Sequence, residues 1–175
     1  MRTLALSTNT LLALQFLLGL SILILSAQVS IPLKPIPITL GTVGVLLIAL
    51  VFEKRQAMAM ISTYILLGAM GLPVLTDFSG GLLAFVGPTG GYIIGFWFAV
   101  LAVTTLREHI HNETLFGIFA LCLIGTITIF IFGIAWLSYL FTFEKAIAVG
   151  LLPFIIPGIV KAGLLASTVR GIKKL

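Results

Sequence analysis

The sequence predicts an all-α integral membrane protein of six transmembrane helices. Three observations carry this expectation. Of 175 residues, 60% are hydrophobic and 9% are charged, against about 25% charged in an ordinary soluble domain. The mean hydropathy is +1.27, and ten Lys and Arg with five Asp and Glu cannot give a chain of this length a polar surface. A helical crossing takes about 20 apolar residues plus a connection, so roughly 29 residues per crossing gives about six crossings. The apolar stretches are continuous and do not alternate with period two, which disfavours a transmembrane β-barrel. The same composition excludes a disordered chain and a disulfide-rich secreted module.

The first span is expected over residues 11–29. It is too long for the apolar region of a cleaved signal peptide and ends without a small-x-small site, so it is read as a helix that stays. Pro32, Pro35 and Pro37 then forbid a continuous helix. The second span, 38–52, is short and stops at Glu53-Lys54-Arg55. The third covers 57–72. A glycine- and proline-rich stretch follows over 71–92. The fourth span covers 91–106, and the polar run Arg107-Glu108-His109-Ile110-His111-Asn112-Glu113 closes it. The fifth covers 115–139, with Trp136 and Tyr139 at its far end as an aromatic belt. The sixth covers 153–169, before Arg170, Lys173 and Lys174. The chain shows no internal repeat or linker, so residues 1–175 read as one domain.

The basic residues orient the helices. With the N-terminus inside, Arg2, Lys54, Arg55, Arg107, Arg170, Lys173 and Lys174 are cytoplasmic, while Lys34 and Lys145 are external. This positive-inside bias predicts that both termini are cytoplasmic. The net charge of +5 therefore reports topology. The basic residues form no patch interleaved with exposed aromatics, and no nucleic-acid partner is expected. The proline-rich segment 31–37, the glycine-rich segment 71–91 and the 141–152 connection all fall on the outer face.

The 71–92 stretch carries two Gly-Gly pairs and two prolines. Irregular backbone at membrane depth survives only if protein covers it or if it lines a polar cavity. A loop dipping between the helices and a plain external turn both fit the composition. Gly87-Pro88-Thr89-Gly90-Gly91 is not a phosphate loop, because no Lys follows and no strand precedes it.

Lys161 is the one clearly intramembrane charge, a functional-site candidate by default. Asp77 could meet a ligand, cap the loop or be solvated. His109 and His111 lack metal-site spacing, and no metal or cofactor is expected. Gln15 is expected to bond to a neighbouring helix. Cys122, the single cysteine, is read as a small buried hydrophobe. No nucleophile–base set or carboxylate pair faces a common cavity, so an enzyme is not expected.

Several motifs together resemble the BioY family, the biotin-specific S components of energy-coupling factor (ECF) transporters. They are Gly71-Leu72-Pro73-Val74, Ser79-Gly80-Gly81 and Gly87-Pro88-Thr89-Gly90-Gly91-Tyr92-Ile93-Ile94-Gly95-Phe96. Ile31-Pro32, Ile36-Pro37-Ile38-Thr39-Leu40, Leu66-Leu67-Gly68 and Pro153-Phe154 followed by Lys161 extend the match over about residues 27–167. The resemblance implies the ECF S-component fold and biotin uptake across the bacterial inner membrane. It also implies a transmembrane coupling protein and cytoplasmic ATPases as partners. Lys161 matches the lysine that donates to the urea carbonyl of biotin. Phe78, Phe85 and Tyr92 are available as ring walls. The expected binding set is completed by Asp77, Ser79, Gly80, Gly81, Gly87, Thr89 and Gly90.

Two positions depart from the family's usual pattern. Gly41 stands where Gln usually follows the Thr-Leu pair, and Gly158 stands where an Asp usually precedes the lysine by three residues. The urea N–H groups then need another acceptor, such as Asp77, a backbone carbonyl or water. The alternatives left open are an S component for a different small vitamin or cofactor precursor, and a non-transporting membrane scaffold.

Overall fold

The apolar runs become helices where caps and prolines bound them. The computed structural model describes residues 7–110 and 114–172. Arg2, His111, Asn112, Glu113, Lys173 and Lys174 lie outside the described residues. Helix α1, Thr8–Gln28, starts at Ser7, whose hydroxyl accepts the Thr10 N–H at 3.2 Å. Its buried positions Gly19, Leu23 and Ala27 recur every four residues and form one inward stripe. Leu11, Leu14, Leu18 and Leu25 are exposed on the other faces, as a lipid-facing helix requires.

The prolines act as expected between the first two helices. They fill the loop of a short antiparallel hairpin, β1 (Ser30–Ile31) with β2 (Ile38–Thr39), in which Ser30 pairs with Thr39 and Ile31 with Ile38. Pairing holds residues 38 and 39 extended, so helix α2, Gly41–Val51, starts three residues later than the apolar run. Helix α3, Lys54–Ala69, begins inside the charged triplet and ends earlier than expected. Gln56 donates to Gln15 at 3.1 Å, the inter-helix bond expected of that mid-span amide.

The glycine-rich stretch holds a 3-10 turn, Thr76–Phe78, and a one-turn helix α4, Leu83–Val86. Helix α5, Gly90–Leu106, and helix α6, Leu115–Leu140, form the most extensive helix pair. The connection expected as a loop over 141–152 contains helix α7, Phe143–Gly150, started by the Thr142 hydroxyl. A second 3-10 turn, Leu152–Phe154, leads into helix α8, Ile155–Ile172.

Among the described residues, three helical stretches are long and apolar enough to cross a membrane: Thr8–Gln28, Leu115–Leu140 and Phe143–Ile172. The core sits between α2, α3, α5 and α6, with Ile48, Ala49, Met60, Ile61, Val100 and Leu121 essentially inaccessible. At one end of the bundle Lys54 donates to Thr105 at 2.9 Å and Arg107 to the Ala49 carbonyl at 2.9 Å. At the other end the three irregular segments converge. Ser30 donates to Asp77 at 2.8 Å, and Tyr92 donates to the Gly150 carbonyl at 2.8 Å. The Trp136 indole donates to the Gly87 carbonyl at 2.9 Å, so it ties α6 to the glycine segment, whereas Tyr139 is exposed.

Candidate functional site

At the convergent end lies a cavity of about 290 Å³. It is walled by the hairpin loop, the 75–79 turn and inward faces of α2, α3, α5, α6 and α8. Tyr64, Tyr92, Phe96, Phe130 and Phe154 supply aromatic surface, and Asp77 and Lys161 are its two charged residues. A mostly apolar pocket with a few convergent polar groups is the usual form of a small-molecule site.

Asp77 is placed by backbone that few residues adopt. Asp77 and Phe78 have φ of 56° and 52°, each costing about 1–2 kcal/mol in the left-handed region. Neighbouring bonds hold the turn there. The Gln28 side chain donates to the Val74 and Leu75 carbonyls at 3.3 and 3.1 Å and accepts the Phe78 N–H at 2.9 Å. Ser79 donates its hydroxyl to the Thr76 carbonyl at 2.7 Å. Ser30 occupies only Oδ1 of Asp77, which leaves Oδ2 for another donor.

The glycines shape this turn from behind. Gly81 has φ of 91°, which favours a residue without Cβ, and its N–H reaches the Gly68 carbonyl at 2.7 Å. Gly90 lies so close to the Phe85 carbonyl that any Cβ would collide with it.

Lys161 projects from α8 and is half-buried. Its ammonium donates to the Thr39 carbonyl at 2.6 Å, just ahead of α2. An ammonium carries three protons, so two remain for other acceptors.

Of the expected binding residues, Lys161, Asp77, Ser79, Thr89 and Tyr92 line the cavity together. Phe78, Gly80, Gly81, Phe85, Gly87 and Gly90 do not line it, and Phe78 is 71% exposed. The hydroxyl residues Thr39, Thr42, Tyr64 and Thr126 also line it and escaped sequence reasoning. They are uncharged and set among apolar neighbours, with Tyr64 directly after Ser62 and Thr63. The usable signal would have been the scarcity of such groups at membrane depth.

The sequence profile of the BioY family matches residues 1–175. The chain is 33% identical to the probable biotin transporter BioY of Rickettsia prowazekii (strain Madrid E) over 172 residues, 97% of this chain and 88% of that one.

The chain belongs to the BioY family.

Other BioY relatives agree. The biotin transporter BioY of Thermotoga maritima is 37% identical over 156 residues, covering 89% of this chain and 91% of its own. The probable biotin transporter BioY of Pyrococcus horikoshii is 40% identical over 136 residues, covering 78% and 80% respectively. These relatives are named as transporters, not enzymes. The solved structure of the S-component for biotin from an ECF-type ABC transporter superposes with a TM-score of 0.86 at 24% identity, covering 98% of this chain and 96% of that one. The fold is therefore that of an S component, as the resemblance implied.

Proposed function

We propose that this chain is the biotin-binding S component of an ECF-type transporter, taking up biotin across the bacterial inner membrane. One observation carries the reading. A BioY-family chain closes a cavity with aromatic walls and places an ammonium and a carboxylate on it. Biotin joins an apolar bicyclic ring to a urea and a carboxylate tail. Lys161 donates to the urea carbonyl, and the free oxygen of Asp77 accepts from a urea N–H. A buried urea group left unpaired would cost about 1–3 kcal/mol, so these partners matter. Ser79 and Thr89 offer hydroxyls, and Tyr92 packs against the ring. Gly80, Gly81, Gly87, Gly90, Phe78 and Phe85 serve the site through the shape of the segment that bears them.

The chain crosses the bilayer six times, with α2, α3 and α5 beside the three longer stretches. Helix α2 rises only about 16 Å, so its crossing is short, and the exposed 31–34 loop of the hairpin lies at its outer end. Both termini are cytoplasmic, which puts the cavity on the outer side where solute arrives. The partners are a transmembrane coupling protein and cytoplasmic ATPases.

Equilibrium binding of labelled biotin to the detergent-solubilised chain tests the reading. Saturable binding below micromolar biotin is expected, and none at micromolar biotin overturns it. The absence of a carboxylate beside Lys161 on α8 favours a second reading, a vitamin of similar size with a different polar head. The small molecule that copurifies with the chain, identified by mass, separates the two.

A further inference from the structure

A second cavity of about 30 Å³ adjoins the first between α2, α6 and α8. The two share Thr42, Thr126, Phe130, Phe154 and Lys161. Gly158 lines the smaller one, and a Cβ built there meets only Thr126 Cγ2, at 3.7 Å. The missing side chain leaves open space beside the lysine. A water needs about 10–15 Å³ of accessible space and two to four polar partners, and this annex provides both.

The hydrogen-bonding capacity of the walls is unbalanced. Lys161 keeps two protons after its bond to the Thr39 carbonyl. The Thr126 hydroxyl donates to the Cys122 carbonyl at 2.8 Å, so its lone pairs stay open. The Thr42 hydroxyl has no partner among the described residues. No carboxylate lines the annex.

We propose that the annex holds an ordered water that joins Lys161 to Thr42 and Thr126 and takes a hydrogen bond from the polar head of the ligand. The bonds balance. The water accepts from the ammonium and from a ligand N–H, and it donates to the two threonine oxygens. This deepens the biotin-binding reading and rests on it for the ligand. It makes Thr42 a positioning residue that acts through the water.

Thr42→Val and Thr42→Ser in the full chain test the proposal. Valine keeps the shape and removes a hydroxyl that no protein group uses, so thermal unfolding in detergent stays at the parent value. Biotin affinity falls about fivefold to tenfold in Thr42→Val, the loss of one neutral hydrogen bond, and returns to within about twofold of the parent in Thr42→Ser. A high-resolution crystal structure of the unliganded chain shows one water within hydrogen-bond distance of Lys161 Nζ, Thr42 Oγ1 and Thr126 Oγ1. Parent-like affinity in Thr42→Val overturns the proposal, and so does an annex without water density. A parent chain that binds no biotin overturns the biotin reading instead, and the crystal structure then decides the water by itself.

Discussion

The loop wall of the cavity and its helix wall are built by opposite means. The loop wall, from Val74 to Thr89, gets its shape from backbone: two left-handed residues, a positive-φ glycine and the Gln28 clamp. None of its glycines lines the cavity. The helix wall gets its chemistry from isolated side chains, Thr42, Tyr64, Thr126 and Lys161, on regular α2, α3, α6 and α8. A conspicuous motif here marks a demanding backbone, and the groups that face the cavity include the least conspicuous residues of the chain.

Substitutions in the two walls should therefore fail differently. The largest effect is expected from Gly90→Ala. Its Cβ meets the Phe85 carbonyl, which is backbone and cannot swing aside. The chain loses about 3 kcal/mol of stability, read as a lowered midpoint of thermal unfolding in detergent, and binding falls with it. A parent-like midpoint would show that the loop wall is not set by close backbone approach.

Next comes Lys161→Ala on the helix wall. Biotin affinity falls tenfold to a hundredfold, about 1.5–3 kcal/mol for a hydrogen bond from a charged group. The unfolding midpoint falls only modestly, since the change strands no buried charge but leaves the Thr39 carbonyl without its donor, about 1 kcal/mol. Unchanged affinity would mean that the helix wall holds no binding group at this position. The smallest effect is expected from Tyr92→Phe, which leaves the Gly150 carbonyl unpaired and costs about 1 kcal/mol. Its stability loss should exceed its affinity loss, since the hydroxyl is spent on holding α7 and the ring remains. The reverse order would move Tyr92 into direct recognition of the ligand.

Composition and hydropathy placed the apolar runs correctly, and each became helix within a few residues of its expected bounds. The shifts have local causes. Strand pairing of Ile38–Thr39 delays α2. The 141–152 segment forms α7 because Thr142 caps it and Ala146 and Gly150 pack inward. Lys161 was legible because a charge in an apolar span is expensive and therefore rare. Gln15 was legible for a similar reason, and Gln56 of α3 proved to be its partner.

The sequence by itself determined that this chain is a helical membrane protein and which family it resembles. Both follow from features written along the chain: apolar length, charge asymmetry and a run of glycines. Tertiary structure alone decided which residues share a cavity. Thr39 and Lys161 lie 122 positions apart and bond at 2.6 Å, and Gln28 reaches across to hold the turn that carries Asp77. Such contacts depend on how helices cross and which faces they bury. A single polar residue in an apolar helix looks the same from the sequence whether it meets a ligand or a neighbouring carbonyl.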